Sequence, residues 1–337
     1  MEDSDTHSGS PTPRLSVLVR QIRFEGIGIN SYELVDPRGN DLPPFAAGAH
    51  IDVHLGDGLV RQYSLSNDPG ERHRYVIAVL RDELGRGGSK SLHEKLHVQD
   101  VVSIGYPRNN FQLVESARKV ILLAGGIGVT PLKSMAHRLE REGIDYELHY
   151  CAKDRPFIAF GEDLAAFREK GRAHFHFDGG DPARGLNIAE LLFEPVPGTH
   201  LYYCGPAGFM NACAAAAAHW PVGTVHFEHF KAPVAEAARE PGAAGGASTE
   251  SGSFVVQLAR TGALITVSPD QTIVVALQGA GVEVETSCQS GLCATCKVRY
   301  LSGEVDHRDF VLSDAEHEEF LTACVSRAKS GLLTLDL

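Results

Sequence analysis

The stretch "TSCQSGLCATCKVRY", Thr286 to Tyr300, holds three of the chain's seven cysteines within nine positions. Their spacing is Cys288-x₄-Cys293-x₂-Cys296, and a fourth cysteine, Cys324, follows in "LTACVSRA". Three thiols alone would be odd packing, whereas four make a thiolate-ligated metal centre. A structural zinc usually pairs two C-x₂-C knuckles or adds histidines, and this loop has one knuckle with an x₄ arm. Buried, unligated thiols are the other alternative. The remaining cysteines, Cys151, Cys204 and Cys213, are dispersed and form no second cluster.

C-x₄-C-x₂-C with a distant fourth cysteine is the spacing of plant-type [2Fe–2S] ferredoxins. Two irons share two bridging sulfides, and four thiolates complete tetrahedral coordination. Gly291 is placed to let the loop fold back so that backbone N–H groups face the sulfurs. Ala294 lies between the second and third ligands; a positive φ there would strain an alanine.

Working outward, the 337 residues exceed what one hydrophobic core usually organises, which predicts two or three domains. Hydrophobic residues at 43% and charged residues at 22% suit a globular chain. A net charge of −12 argues against nucleic acid or an anionic membrane as partner. No apolar run is long enough to span a bilayer. The opening "MEDSDTHSGSPTPR" is acidic and polar, so residues 1–13 read as a disordered tail rather than a secretory signal. An odd, clustered cysteine count suits a reducing, cytoplasmic setting.

Three textures follow. Over residues 14–114, short alternating runs such as "LSVLVRQIRF", "AHIDVHLG", "VRQYSLS", "YVIAVLRD" and "VVSIGY" are separated by turn signals, which predicts an antiparallel β-barrel. Over residues 115–231, apolar strands ("KVILLAGG", "YELHYCAK", "AHFHFD", "HLYYCGP", "TVHFEHF") alternate with helical patterns, including an alanine-rich one, which predicts a parallel α/β sheet. Residues 232–252, "APVAEAAREPGAAGGASTESG", read as a flexible linker. Residues 253–337 open with a predicted β-hairpin and a helix before the cysteine loop, an α+β domain.

Two further groups of motifs carry chemistry. In "RQYSLSND", Arg61 offers a fixed charge for phosphate, Tyr63 a flat surface for a flavin ring, and Ser64 a hydroxyl or N–H near its reactive N5; a half-exposed strand could also carry this pattern by chance. Gly87, Gly88 and Ser89 open the helix in "GRGGSKSLHEKL", where free N–H groups form an anion site or an ordinary capped end. In "LLAGGIGVTPLKSM", Gly125, Gly126 and Gly128 make a strand-to-helix turn, Thr130 is a candidate cap, and Pro131 suits the first helical position. Pro131 replaces the third glycine of the dinucleotide fingerprint. Asp178, after "AHFHF", is a candidate partner for ribose hydroxyls and would repel a 2′-phosphate, which favours NADH; Asp181 competes for the role. The sixteen histidines are scattered and show no metal pattern by spacing.

Together with "GEVDHRDFVLSDAE" after the cysteine loop, these motifs resemble the phthalate dioxygenase reductase family over essentially the whole of Arg14 to Leu337. The resemblance implies an FMN-binding barrel, an NADH-binding domain and a C-terminal ferredoxin-like β-grasp domain in one chain. It assigns the Arg61 and Gly87–Ser89 stretches to FMN rather than FAD. The G-G-x-G-x-T-P turn resembles the pyridine-nucleotide domain of the ferredoxin reductase superfamily. Cys204, Gly205 and Pro206 in "YYCGPAGFM" are thereby placed near the nicotinamide, with a plain core cysteine as the alternative for Cys204. In "HFEHF", Phe230 is implied to stack on the flavin, with Phe227 competing. The implied activity is NADH-dependent electron transfer through FMN and a [2Fe–2S] cluster. The implied acceptor is a Rieske-type terminal oxygenase acting on an aromatic acid, a methoxy-aromatic or a quaternary amine. A haem monooxygenase or dehalogenase as acceptor, and a redox sensor, are the alternative functions.

Overall fold

Strand β1 (Arg14–Gly26) shows why the first region curls. Val17 and Val19 point inward, then a bulge between Val19 and Gln21 shifts the register against β2 (Ile29–Val35), and the inward phase resumes at Ile22. Strand β2 was not anticipated. Its two sides face different neighbours: Tyr32 and Leu34 enter the barrel core, while Ser31 donates to Glu25 at 2.6 Å and Glu33 accepts from Arg74 at 2.8 Å. The alternation Ser31-Tyr32-Glu33-Leu34 is that of a strand with one apolar side, but here the polar side is buried against partners rather than exposed to solvent.

With β3 (His50–His54), β4 (Val60–Ser64), β5 (Tyr75–Leu80) and β6 (Val101–Gly105), these strands form an antiparallel sheet in the order β4-β3-β6-β1-β2-β5. It wraps around Val17, Leu34, Ile51, Leu65, Ile77 and Ile104. The ends approach where Ser66 N–H donates to the Val76 carbonyl at 2.8 Å. Helix α1 (Gly88–Lys95) follows β5 and buries Leu92. The structure, a computed structural model, describes residues 13–56, 59–85, 87–231 and 252–337. The expected tail and linker lie outside these residues, apart from Pro13 and Gly252.

The second sheet is parallel throughout. Strands β7 (Lys119–Gly125), β8 (Asp145–Ala152), β9 (Ala173–Phe177), β10 (Thr199–Cys204) and β11 (Val225–Glu228) lie in the order β11-β10-β7-β8-β9. Chain order therefore reverses between β7 and β10, and the carboxyl ends of these two strands are where open parallel sheets bind their ligands. Helix α2 (Val129–Glu142) covers one face. The short helices α3 (Ala165–Glu169) and α4 (Ile188–Leu191) and the alanine-rich α5 (Ala207–Ala216) complete the α/β arrangement, with Met210 and Cys213 of α5 buried on the other face.

The start of α2 differs from expectation. A 3-10 turn over Gly126–Gly128 precedes it, so Thr130 is the second helical residue and Pro131 the third. The Thr130 hydroxyl donates to the Ile127 carbonyl at 3.1 Å rather than capping an N–H. Proline is still tolerated there, because first-turn N–H groups have no partner within the helix.

In the last region, β12 (Phe254–Leu258) and β13 (Leu264–Val267) form the expected hairpin, and helix α6 (Ile273–Gly279) is capped by Thr272, which accepts from Val275 N–H at 3.2 Å. Strand β14 (Lys297–Ser302) leaves the cysteine loop. Strands β15 (Val305–Asp306), β16 (Phe320–Thr322), β17 (Arg327–Ala328) and β18 (Leu332–Leu335) follow, with helix α7 (Asp314–His317) before β16. The mixed sheet β13-β12-β18-β14-β16, with β12 parallel to β18, packs on α6 around Val256, Leu277, Leu321 and Leu333.

The chain divides into two compact units, one ending at Glu228 and one spanning His229–Leu337. In the first, barrel residues Ile29, Ala47 and Phe111 share a core with Met135 and Tyr202 of the α/β layer. Lys133 of α2 crosses that junction. It is 4% exposed, donates to the Ser66 carbonyl at 3.2 Å, pairs with Asp163 at 3.3 Å and lies over the Phe160 ring. Among the described residues no helix is long and apolar enough to cross a membrane.

Candidate functional site

Helix α1 opens on Gly87, whose φ of +80° suits glycine and no β-branched residue. No side chain caps its N-terminus. Arg61 of β4 lies directly against it: a Cβ built on Gly88 would come 2.5 Å from both Cγ and Nε of Arg61. A guanidinium, free helical N–H groups and backbone bare of side chains thus meet at one point, the makings of a phosphate cradle. Ser89 does not face the cradle with a free hydroxyl, since its Oγ accepts from Asp82 N–H at 3.0 Å. Tyr63, two residues beyond Arg61 on the same strand face, packs against the barrel core, and burial pushes its phenol well above the ordinary range.

Register then builds a second feature. Ser64 pairs with His50 across β3 and β4, and Cys204 pairs with Glu228 across β10 and β11. The two pairs meet, because the Ser64 side chain hydrogen-bonds the Glu228 carboxyl. His50 Nδ1 stands 4.0 Å from Glu228 Oε1. Both His50 Nδ1 and Glu228 Oε2 are buried and have no hydrogen-bond partner. Burial pushes Glu228 up to about 8, against the lowering effect of Ser64, so the carboxyl holds a proton at neutral pH. Burial also drives His50 down to about 4, with Arg108 adding to the effect, so its imidazole is neutral. The Cys204 thiol is fully buried and raised well above its ordinary value by burial and then by Glu228. It is a neutral thiol. Orphaned polar atoms beside Ser64 are the feature expected where a polar heterocycle belongs.

Glu228 and His50 were missed in the sequence. The available signal was a lone acid in "HFEHF", at the end of a strand otherwise apolar or aromatic, but the residue opposite it depends on register.

The nucleotide turn closes tightly on β10. A Cβ on Gly128 would overlap the Cys204 carbonyl oxygen, and one on Gly125 would come 2.9 Å from Pro206 Cδ and Phe209 Cδ1. Gly126 has a φ of +53°. Gly205 approaches the same place, its Cβ direction 3.0 Å from Gly125 Cα. The structure therefore brings Gly125, Gly128, Cys204, Gly205 and Pro206 together at the chain reversal. Asp178 lies separately, at the end of β9, where Oδ1 accepts from Gly180 N–H at 2.7 Å. Asp181 caps the next 3-10 turn through Ala183 N–H at 3.1 Å. Phe227 stacks on Tyr203 with centroids 5.4 Å apart. Phe230 belongs to the second unit and is 39% exposed.

In that second unit the four cysteines converge. Cys288 is hydrogen-bonded to Cys293 and Cys296 to Cys324, with Cys293 within electrostatic reach of the latter pair. Within each pair the donor thiol, Cys288 or Cys296, is raised by its neighbour, and Cys293 and Cys324 are lowered by theirs. The N–H groups of Ser290 and Leu292 each point at Cys288 Sγ at 3.4 Å, and Gly291 N–H faces Cys324. Gly291 has a φ of +70°, and a Cβ there would come 2.8 Å from Val325 Cγ2 and 2.9 Å from Asp309 Cα. Ala294 does adopt a positive φ, +55°. Four sulfurs with N–H groups turned toward them fit a four-thiolate cluster.

A model of the 2Fe-2S iron-sulfur cluster binding domain matches residues 256–329, which include all four cysteines. The chain is 55% identical, over 98% of its length and 99% of the relative's, to a tert-butanol monooxygenase / tert-amyl alcohol desaturase reductase subunit of Aquincola tertiaricarbonis. It is similar to the solved phthalate dioxygenase reductase, described as a modular structure for electron transfer from pyridine nucleotides to [2Fe–2S]. That match has a TM-score of 0.73 and 40% identity, and covers 96% of this chain and 98% of that one. An intact type IV self-sufficient cytochrome P450 monooxygenase matches with a TM-score of 0.80 and 35% identity, over 96% of this chain and 41% of that one.

Proposed function

The chain belongs to the phthalate dioxygenase reductase family, and from that premise we propose that it carries electrons from NADH through FMN and a [2Fe–2S] cluster to a Rieske-type terminal oxygenase. The observation that carries the reading is the gathering of Cys288, Cys293, Cys296 and Cys324 in one chain with the Arg61–Gly88 cradle and the glycine turn packed against Cys204. A flavin in the barrel would accept a hydride from reduced nicotinamide and return two electrons singly to a cluster held by the four cysteines.

The chain's own residues have defined tasks in this reading. Arg61 and the N–H groups at Gly88 and Ser89 hold the flavin phosphate, a single phosphate being what one helix end and one guanidinium accommodate. Tyr63 presents a ring face. Gly125, Gly126 and Gly128 admit the dinucleotide backbone to the start of α2, and Gly205 and Pro206 keep side chains out of the nicotinamide's approach. A hydride passed on as two electrons leaves one proton behind. That proton goes to solvent, since the Glu228 carboxyl already carries one at neutral pH; Ser64 and the protonated Glu228 would instead hydrogen-bond the flavin edge, with neutral His50 beside them. Asp178 is the proposed ribose partner, Phe230 the ring over the flavin, and residues 232–252 the linker that precedes the ferredoxin-like domain.

The partner's substrate class is read from the 55% identical relative, whose name specifies tertiary alcohols. A compact tertiary alcohol therefore joins aromatic acids, methoxy-aromatics and quaternary amines as a substrate to test. The test reconstitutes the protein with the oxygenase encoded beside it and follows NADH-dependent oxygen uptake with each class. Absence of coupling to any of them, with cytochrome c still reduced, would sink the oxygenase reading. A second acceptor, a haem monooxygenase, is favoured by the likeness to the self-sufficient P450; carbon monoxide sensitivity of the coupled activity would select it. Replacing Asp178 by serine should narrow the preference for NADH, and a native preference for NADPH would remove the ribose assignment.

A further inference from the structure

Outside the four-cysteine centre, one cluster of metal-ligating side chains stands out among the described residues: His307, Asp309 and His317. The spacing H-x-D-x₇-H has no motif character, and the fold assembles it. His307 and Asp309 follow β15, while His317 ends α7, whose start is fixed by a capping box between Ser313 and Glu316. The Tyr300 hydroxyl donates to the His317 carbonyl at 2.8 Å and holds the end of that helix over β14.

The three side chains offer one ligand atom each, all within 4.8 Å of one another. His317 Nε2 lies 3.1 Å from Asp309 Oδ1, close to the roughly 3.3 Å that separates ligands around a tetrahedral ion with bonds near 2.0–2.1 Å. The His307 and His317 rings stack with centroids 4.1 Å apart. His307 Nδ1 is buried and has no hydrogen-bond partner. The Asp309 side chain is completely buried, and its Oδ2 accepts from Leu312 N–H at 2.9 Å and from Val311 N–H at 3.4 Å. Such support is what orients a ligating carboxylate. An ordinary Asp309–His317 ion pair would account for two of these residues but would leave the stacked, unpartnered His307 unexplained.

We propose that His307, Asp309 and His317 form a binding site for a divalent transition-metal ion of the zinc class, separate from the four-cysteine centre. Two imidazoles and a carboxylate suit zinc or its neighbours, and not magnesium or calcium, which prefer oxygen alone. Its position ties it to the cysteine loop. The Phe310 N–H, beside the ligand Asp309, donates to the Gly291 carbonyl at 2.9 Å, and Gly291 must be glycine partly because Asp309 Cα is so near. An ion here braces the segment against which that loop packs.

The test titrates zinc sulfate into untagged, full-length, cluster-loaded protein in a non-coordinating buffer, with iron content followed throughout. One zinc per chain should bind without loss of iron, and binding should weaken by roughly 100-fold or more in His307→Gln and in His317→Gln. Zinc-edge absorption spectroscopy of the unaltered protein provides a readout independent of any variant, and should show two imidazole nitrogens, oxygen and no sulfur. A sulfur shell, iron release on zinc binding, undiminished binding in both variants, or no stoichiometric zinc would each overturn the proposal.

Discussion

His50 Nδ1 faces Glu228 Oε1 at 4.0 Å across the join between a barrel strand and a strand of the parallel sheet, and neither side chain is charged at neutral pH. The Glu228 carboxyl is raised from its ordinary value of 4.5 to about 8, so the folded chain holds a proton there that the unfolded chain releases. The stabilisation is whole below about pH 4.5 and is lost as pH rises through about 8. Between those limits the unfolding free energy should fall on the order of 1 kcal/mol per pH unit from this group. Glu228→Gln keeps a neutral side chain and should flatten that slope. Urea titrations of both proteins from pH 5 to 9 check it, and parallel slopes would contradict the buried-acid assignment.

Gly128 touches the Cys204 carbonyl with no room for a methyl group. Gly128→Ala must push β10 away from the start of α2, an overpacking cost of about 1–3 kcal/mol. Because the dinucleotide is proposed to enter at this point, the KM for NADH should rise while iron content stays unchanged. Thermal unfolding together with NADH-dependent ferricyanide reduction measures both effects. A variant with a normal KM would move the nicotinamide site elsewhere.

Much of this was legible in the sequence where one local rule suffices. The ferredoxin-type spacing needed only four cysteines, and the parallel sheet needed only buried strands such as "KVILLAGG" alternating with helical periods. What stayed hidden depends on two distant segments meeting. Strand β2 carries the alternation Ser31-Tyr32-Glu33-Leu34, but that its polar side is buried against Glu25 and Arg74 appears only when those segments meet. Glu228 became interesting only when register set it opposite Cys204 and beside Ser64. His307 and His317 are ten positions apart and join only because α7 folds back over β14. The Thr130 cap failed for a smaller reason, since the 3-10 turn over Gly126–Gly128 runs straight into α2 at Val129 and leaves Thr130 inside the helix.

Ala294 carries a φ of +55° between two of the cluster cysteines. An alanine in that left-handed region costs about 1 kcal/mol relative to glycine, partly offset by glycine's greater freedom when unfolded. Ala294→Gly should therefore stabilise the cysteine loop by somewhat under about 1 kcal/mol. Loss of cluster absorbance in urea should shift to higher denaturant. By contrast, Cys293→Ser should abolish that absorbance while leaving reduction of the flavin by NADH intact.

Beyond Ser253 the chain has eleven acidic residues against six basic ones, a net of −5. An acidic docking face for a basic patch on the acceptor is the natural reading, but the structure restricts which acids can serve it. Glu316 pairs with Lys297 at 2.7 Å, Glu319 with Arg299 at 3.2 Å, Asp306 with Arg308 at 2.6 Å, and Asp309 is buried against His317. Asp336 also has Arg260 nearby at 3.7 Å. The field reaching a partner should instead come from exposed acids such as Asp314 and Glu318 on and beside α7. Converting both to lysine should slow electron delivery to the oxygenase by roughly 3- to 10-fold at low salt. The difference should shrink as ionic strength rises toward 1 M, where screening extends only about 3 Å. NADH oxidation with ferricyanide is the control and should not change, because that small anion does not dock on the patch. Oxygen uptake measured across a salt series decides the matter: a variant as fast as the unaltered protein at low salt would mean that α7 does not face the partner.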